Sequence, residues 1–166
     1  MSVVACKVYK DKIDIASDSI VVWYNTQSKG DNKEWSKLWQ GNGLTVGCVG
    51  YCEEGSLFQL YCTTRKPKAA TVDALTEFMV EFAEWKKAKT KEFKLDNANI
   101  IVFGDRAFTT DSFFINEITK YDAIGAGMDY ALSALYLGHD VEKAVEVACE
   151  LSIYCEKPIK KFSVKK

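Results

Sequence analysis

Apolar and polar positions alternate from the start of the chain. Val3, Val4, Cys6 and Val8 lead into the polar turn Lys10-Asp11-Lys12. Ile13, Ile15 and Ala16 follow, before Ser17-Asp18-Ser19. A period of two on both sides of a turn predicts a β-hairpin. Ile20-Val21-Val22-Trp23-Tyr24 is a third apolar run, and the polar stretch from Asn25 to Lys33 reads as a loop. Lys37-Leu38-Trp39-Gln40 and Leu44–Val49 flank Gly41-Asn42-Gly43, which predicts a second hairpin.

The period then lengthens. Glu53 to about Thr63 is expected to be helical, with Leu57, Leu60 and Tyr61 on its inner face. Pro67 interrupts it. Thr71 suits an N-cap, and Val72, Leu75, Phe78, Met79, Phe82 and Trp85 form the stripe of a second helix whose end, Lys86 to Lys91, is basic. Strands are predicted at 98–103, 107–109, 113–115 and 122–125. Two helices follow, one with Met128, Ala131, Leu132 and Leu135 inward. The other has Val141, Ala144, Val145, Ala148 and Ser152 inward, with Asp140 as its N-cap. Residues 157–164 read as a last strand. Strands and helices come in blocks, so the expected class is α+β with mainly antiparallel sheets, in one domain over residues 1–166.

Composition narrows the chemistry. With 22 Lys and Arg against 23 Asp and Glu, the net charge is −1, which speaks against binding nucleic acid through phosphate contacts. No window approaches a membrane span and no signal peptide opens the chain, so a cytoplasmic location is expected. Its six cysteines are then expected to be reduced. Cys48-x3-Cys52 has no partner pair, so the sequence offers no zinc site. With one histidine, His139, a multi-histidine metal site is excluded. Trp35, Trp39, Phe58 and Tyr61 suit either a core or a subunit contact. Lys157, Lys160, Lys161, Lys165 and Lys166 suit a solvated end.

Four segments carry a resemblance. The hairpin ending Ile15-Ala16-Ser17-Asp18-Ser19, the segment Gly47-Cys48-Val49-Gly50, the segment Ala123-Ile124-Gly125-Ala126-Gly127-x-x-Tyr130-Ala131, and Ala144 to Tyr154 resemble, in order, motifs of proteasome β-subunits and the HslV peptidase. The resemblance covers nearly the whole chain. It implies the N-terminal nucleophile hydrolase fold, a four-layer αββα sandwich with two antiparallel sheets between helix layers.

It also implies a chemistry. Members attack the scissile carbonyl with an N-terminal Ser, Thr or Cys, and the free α-amine serves as base. Such an amine, with a pKa of ~7.7–8.0, needs no histidine. Ser2 falls at the nucleophile's place, and removal of Met1 is expected because serine is small. Asp18 lies sixteen positions on, the family's separation. The implied lysine is Lys37, ten residues before Gly47, with Lys33 as the alternative; Lys37 is preferred because it precedes an apolar strand residue. Gly50 matches the oxyanion glycine. Two positions depart from the family: Ala126 replaces a serine, and Glu150 replaces an aspartate.

The expected function is a serine-type counterpart of the threonine-type proteasome/HslV peptidase subunit, hydrolysing peptide bonds inside a homo-oligomeric ring or double ring of six- or sevenfold symmetry. Ala126 and Glu150 keep open a catalytically inactive assembly subunit, and a small-molecule amidohydrolase of the same superfamily is a further alternative. Cys149, Ser152 and Cys155 resemble a stretch whose backbone carbonyls hold a monovalent cation; no other cofactor is expected. An ATP-dependent unfoldase could be a partner, but this chain has no phosphate-binding G-x-x-x-x-G-K-[ST]. Neither nucleic acid nor membrane is expected to bind.

Overall fold

The structure is a computed structural model describing residues 1–24, 26–28 and 36–166. β1 (Val4–Val8) and β2 (Lys12–Ser17) form the first hairpin, and β3 (Val21–Trp23) pairs with β4 (Thr26–Ser28) in a small ribbon. β5 (Leu38–Gly41) and β6 (Leu44–Val49) form the next hairpin. Helices α1 (Cys52–Cys62) and α2 (Val72–Thr90) precede β7 (Ala98–Phe103), β8 (Arg106–Asp111), β9 (Phe114–Ile118) and β10 (Tyr121–Ile124). Then come α3 (Met128–Tyr136), α4 (Val141–Leu151) and β11 (Lys160–Lys165).

Two antiparallel sheets result. One has the order β10-β1-β2-β11 and the other β5-β6-β7-β8-β9. Side-chain alternation sorts the apolar residues into three separate cores. On β1 and β2, Val4, Cys6, Ile13 and Ile15 meet Leu38, Ile100, Val102 and Ala107 between the sheets. Val3, Ala5 and Ala16 face the other way, onto Ala131, Leu135, Ala144, Val145 and Ala148 of α3 and α4. On the far side Leu44, Val46 and Ile101 meet Phe58, Leu75, Phe78, Met79 and Phe82 of α1 and α2. Helix layer, sheet, sheet, helix layer is the expected αββα sandwich.

The sheets approach closely at Gly47. A Cβ there would lie 2.5 Å from Val4 Cγ1 and 2.9 Å from Leu38 Cδ2. The caps hold too: Thr71 Oγ1 accepts from the Ala74 N–H and Asp140 Oδ1 from the Lys143 N–H.

Several expectations need correction. The polar stretch read as a loop contains β4; Lys33 and Trp35 lie outside the described residues. The inner face of α1 is Phe58, Tyr61 and Cys62, while Leu60 is 55% exposed. Aromatic packing sets this rotation, because Phe58 lies 4.8 Å from Phe82 and Tyr61 5.2 Å from Phe78, centroid to centroid, and rings bury more area than leucines. Trp39, Phe58 and Tyr61 are therefore core. On α3, Ala134 is buried and Met128 is exposed. Most of the lysine-rich end is not a loose terminus: Lys160, Lys161 and Lys165 sit in β11, paired along β2. No helix among the described residues is long and apolar enough to cross a membrane.

Candidate active site

The site forms where the first hairpin meets the second sheet. Asp18 directly follows β2 and is 1% exposed. Its Oδ1 accepts from the Val3 N–H at 2.9 Å and from Lys37 Nζ at 3.0 Å. Its Oδ2 accepts from the Ile20 N–H at 3.0 Å and the Glu156 N–H at 3.3 Å. A carboxylate offers about four acceptor positions, and all four are used. One side chain thus ties together the start of β1, the approach to β3, the turn before β11, and Lys37.

Lys37 precedes β5, and its carbonyl accepts from the Cys48 N–H of β6 at 2.9 Å. The side chain is buried. Among the described residues, two of the three ammonium donors are taken, by Asp18 and by the Ile20 carbonyl at 2.5 Å. Burial pulls the Lys37 proton affinity below that of an ordinary lysine, against the opposing pull of the Asp18 carboxylate.

Ser2 is 3% exposed. Its Oγ donates to the Met1 carbonyl, and its own carbonyl accepts from the Gly127 N–H at 3.1 Å. Gly125 has φ +96°, and a Cβ there would lie 2.4 Å from the Ser2 oxygen. The turn after β10 therefore needs glycine in order to grip the first residues of the chain.

Ser2, Lys37, Cys48 and Gly50 line one cavity of about 70 Å³, together with Met1, Ile20, Val21, Val22, Tyr51 and Cys52. A wider groove of about 540 Å³ starts from the same Met1 and Gly50 and passes Asp96, Asp111 and Asp122. Three thiols in this region, Cys48, Cys149 and Cys155, are poor nucleophiles. Burial pushes Cys48 and Cys149 up to about 12 and Cys155 to about 11, so at neutral pH they stay protonated.

The structure places Ser2, Lys37 and Gly50 on one cavity, with Asp18 bonded to Lys37 behind it. Ala126 lies in the turn that grips Ser2, but it is exposed and has no hydroxyl to offer. Glu150 does not join the site: it is exposed and pairs with Lys157 at 2.9 Å. Ser152 and Cys155 are buried and Cys149 is half-buried. The Ser152 carbonyl already accepts from the Cys155 N–H at 3.2 Å. No cluster of three or more His, Cys, Asp or Glu suited to a metal occurs among the described residues. His139 is an exposed connector whose carbonyl takes Lys7 Nζ at 2.7 Å.

Sequence reasoning missed Asn97 and the buried pair Glu54–Lys86. In the sequence Lys86 reads as part of a basic helix end, and Glu54 carries no reading of its own. Their meeting across 32 positions leaves no local signal.

No family model matches the sequence, and neither does any curated protein. Solved structures do match. The BPH protein of Thiobacillus denitrificans superposes with a TM-score of 0.88 at 17% identity, covering 98% of this chain and 97% of that one. A second BPH structure, in complex with epoxomicin, gives 0.87 at the same identity and 98% coverage of both chains. Eukaryotic HslV from Trypanosoma brucei gives 0.74 at 16% identity, covering 99% of both chains. Anbu, an ancestral β-subunit from Yersinia bercovieri, gives 0.71 at 14%, covering 98% of this chain and 81% of that one. The chain has the proteasome-like fold of these proteins, the group to which its sequence motifs pointed.

Proposed function

We propose that this chain is an N-terminal nucleophile hydrolase that cleaves peptide amide bonds with Ser2 once Met1 has been removed. The observation that carries the reading is the single cavity onto which Ser2, Lys37 and Gly50 open, with Asp18 buried behind Lys37. With Met1 attached, the Ser2 nitrogen is an amide and cannot act as a base. With Met1 gone, a free amine stands beside Oγ and the Met1 carbonyl no longer engages it.

The amine takes the Oγ proton as Oγ attacks the scissile carbonyl. Lys37 supplies a proton-donating group that steadies the developing alkoxide, and Asp18 holds that lysine in place. The Gly50 N–H receives the oxyanion, a role worth ~2.7–4 kcal/mol for a well-aimed donor. Collapse breaks the C–N bond, and the protonated amine returns its proton to the leaving nitrogen. Water then hydrolyses the Ser2 ester by the same relay. Ala126 leaves the amine without a hydroxyl partner from that turn.

Ala126 and the outlying Glu150 favour the second reading, an inactive assembly subunit of the same fold. The amidohydrolase alternative uses the same Ser2 on a non-peptide amide. A homo-oligomeric ring in the cytoplasm, an ATP-dependent unfoldase partner and a monovalent cation at the carbonyls of Cys149, Ser152 and Cys155 belong to the proposal through the resemblance alone.

The test uses protein shown by intact mass to lack Met1. A peptide vinyl sulfone is expected to add once per chain, on Ser2, and Ser2→Ala is expected to abolish both the adduct and peptide cleavage. Cleavage retained in Ser2→Ala, or no adduct on the processed wild type, overturns the assignment.

A further inference from the structure

Gly50 is held from behind by a side chain that takes no part in the reaction just described. Asn97, just before β7, is 2% exposed. Its Oδ1 accepts from the Tyr51 N–H at 2.6 Å, and its Nδ2 donates to the Tyr51 carbonyl at 2.9 Å and to Cys48 Sγ at 3.3 Å. The contacts fall on both sides of the Val49–Gly50 peptide. Gly50 has φ +130°, and a Cβ there would lie 2.1 Å from Asn97 Oδ1. The amide of Asn97 thus fills the space over Gly50 that any side chain would need.

Asn97 is itself clamped. Its backbone N–H donates to Glu54 Oε1 at 2.9 Å, and the Asp96 N–H reaches the same carboxylate at 3.1 Å. Lys86 Nζ lies 2.6 Å from Glu54 Oε2 and 2.5 Å from the Lys94 carbonyl. Both charged side chains are nearly fully buried. A buried ion pair adds little net stability over an apolar replacement; what this pair does is fix the path of residues 94–97 against α1 and α2.

We infer that Asn97 is a positioning residue for the oxyanion-binding turn at Gly50, set in place by the buried Glu54–Lys86 pair. The inference rests on the reading of Gly50 as oxyanion donor. An oxyanion donor works because it is aimed before charge develops, and Asn97 fixes the turn on both sides of the donating peptide. Its loss is felt where negative charge appears in the transition state, not in ground-state binding.

The experiment uses the full chain lacking Met1 and compares wild type with Asn97→Ala. Sites are first counted by the peptide vinyl sulfone, whose addition creates no carbonyl oxyanion. Per labelled site, Asn97→Ala is expected to lower kcat about 10- to 100-fold, with KM changed less than about threefold. A peptide boronate, whose tetrahedral adduct presents an oxygen to the Gly50 N–H, is expected to bind more weakly by a similar factor. Asn97→Asp adds a pH readout and covers the case in which the alanine variant fails to fold. When protonated, its carboxyl can both accept from the Tyr51 N–H and donate to the Tyr51 carbonyl; when ionised it can only accept. Its boronate affinity relative to wild type at the same pH is expected to fall as pH rises from 5 to 8. Unchanged kcat and boronate affinity in Asn97→Ala, or boronate affinity in Asn97→Asp equal to wild type across that range, overturns the inference while leaving Ser2 as nucleophile. Absence of labelling in the wild type overturns the underlying reading instead.

Discussion

At the scale of single residues, Asp18 organises the site. Its four hydrogen bonds reach residues near positions 3, 20, 37 and 156. The family resemblance pointed to Asp18 in the sequence, and to Lys37 with Lys33 as the alternative. Of the three backbone donors to Asp18, which are Val3, Ile20 and Glu156, none was legible, because chain folding delivers them. Lys37→Met leaves that carboxylate buried without its cation. The expected cost is about 3–5 kcal/mol in urea unfolding, the range for breaking one partner of a buried pair. Asp18→Asn with Lys37→Met is expected to cost less than the sum of the two single changes, since each removes the same interaction. Additive costs would show that the two side chains are not coupled.

At the scale of elements, the strands follow their alternation and the helix faces follow their largest side chains. β7 and the β5–β6 turn stand where the period and the glycines put them. The face of α1 was misread because one short helix offers two apolar stripes, and only packing against Phe78 and Phe82 chooses between them. Gly47 shows how tightly the two sheets press. Gly47→Ala drives a methyl against Val4 and Leu38 and is expected to cost about 1–3 kcal/mol, as overpacking does. An unchanged urea midpoint would mean that the sheets can separate freely there.

The edge pairing of β2 with β11 carries a pH signal. Asp14 is held by Lys12 at 2.7 Å and by Ser163 of β11 at 2.6 Å. Burial alone would raise its carboxyl, but these two bonds together with the charges of Lys12 and Lys161 outweigh burial and hold it below the usual 3.8. Above 3.8 the folded state keeps the full benefit of the charged form. As pH falls from there through the lower folded value, the folded state must take up the proton and the benefit is lost. Asp14→Asn is therefore expected to be less stable than wild type at pH 6, with the gap closing below pH 4. Thermal unfolding across that range measures it, and a gap of constant size would remove Asp14 from the acid response.

At the scale of the whole molecule, three stacked cores make four layers, and the site opens where the sheets meet at one end of the sandwich. Light scattering on purified protein checks the assembly proposal. The expected mass is that of a ring, a multiple of the 18.7 kDa chain; a single chain would end the ring reading but leave the Ser2 chemistry standing. The sequence by itself determined the strand and helix blocks and the layer class, because periodicity is a property of the chain. Ser2, Asp18, Lys37 and Gly50 were candidates only through the family resemblance of their motifs. Only the tertiary structure decided that Glu150 lies outside the site, that Glu54 and Lys86 meet in the interior, and that Asn97 stands behind Gly50. Those contacts join residues 32 to 49 positions apart through geometry that exists only once the sheets and helices have packed.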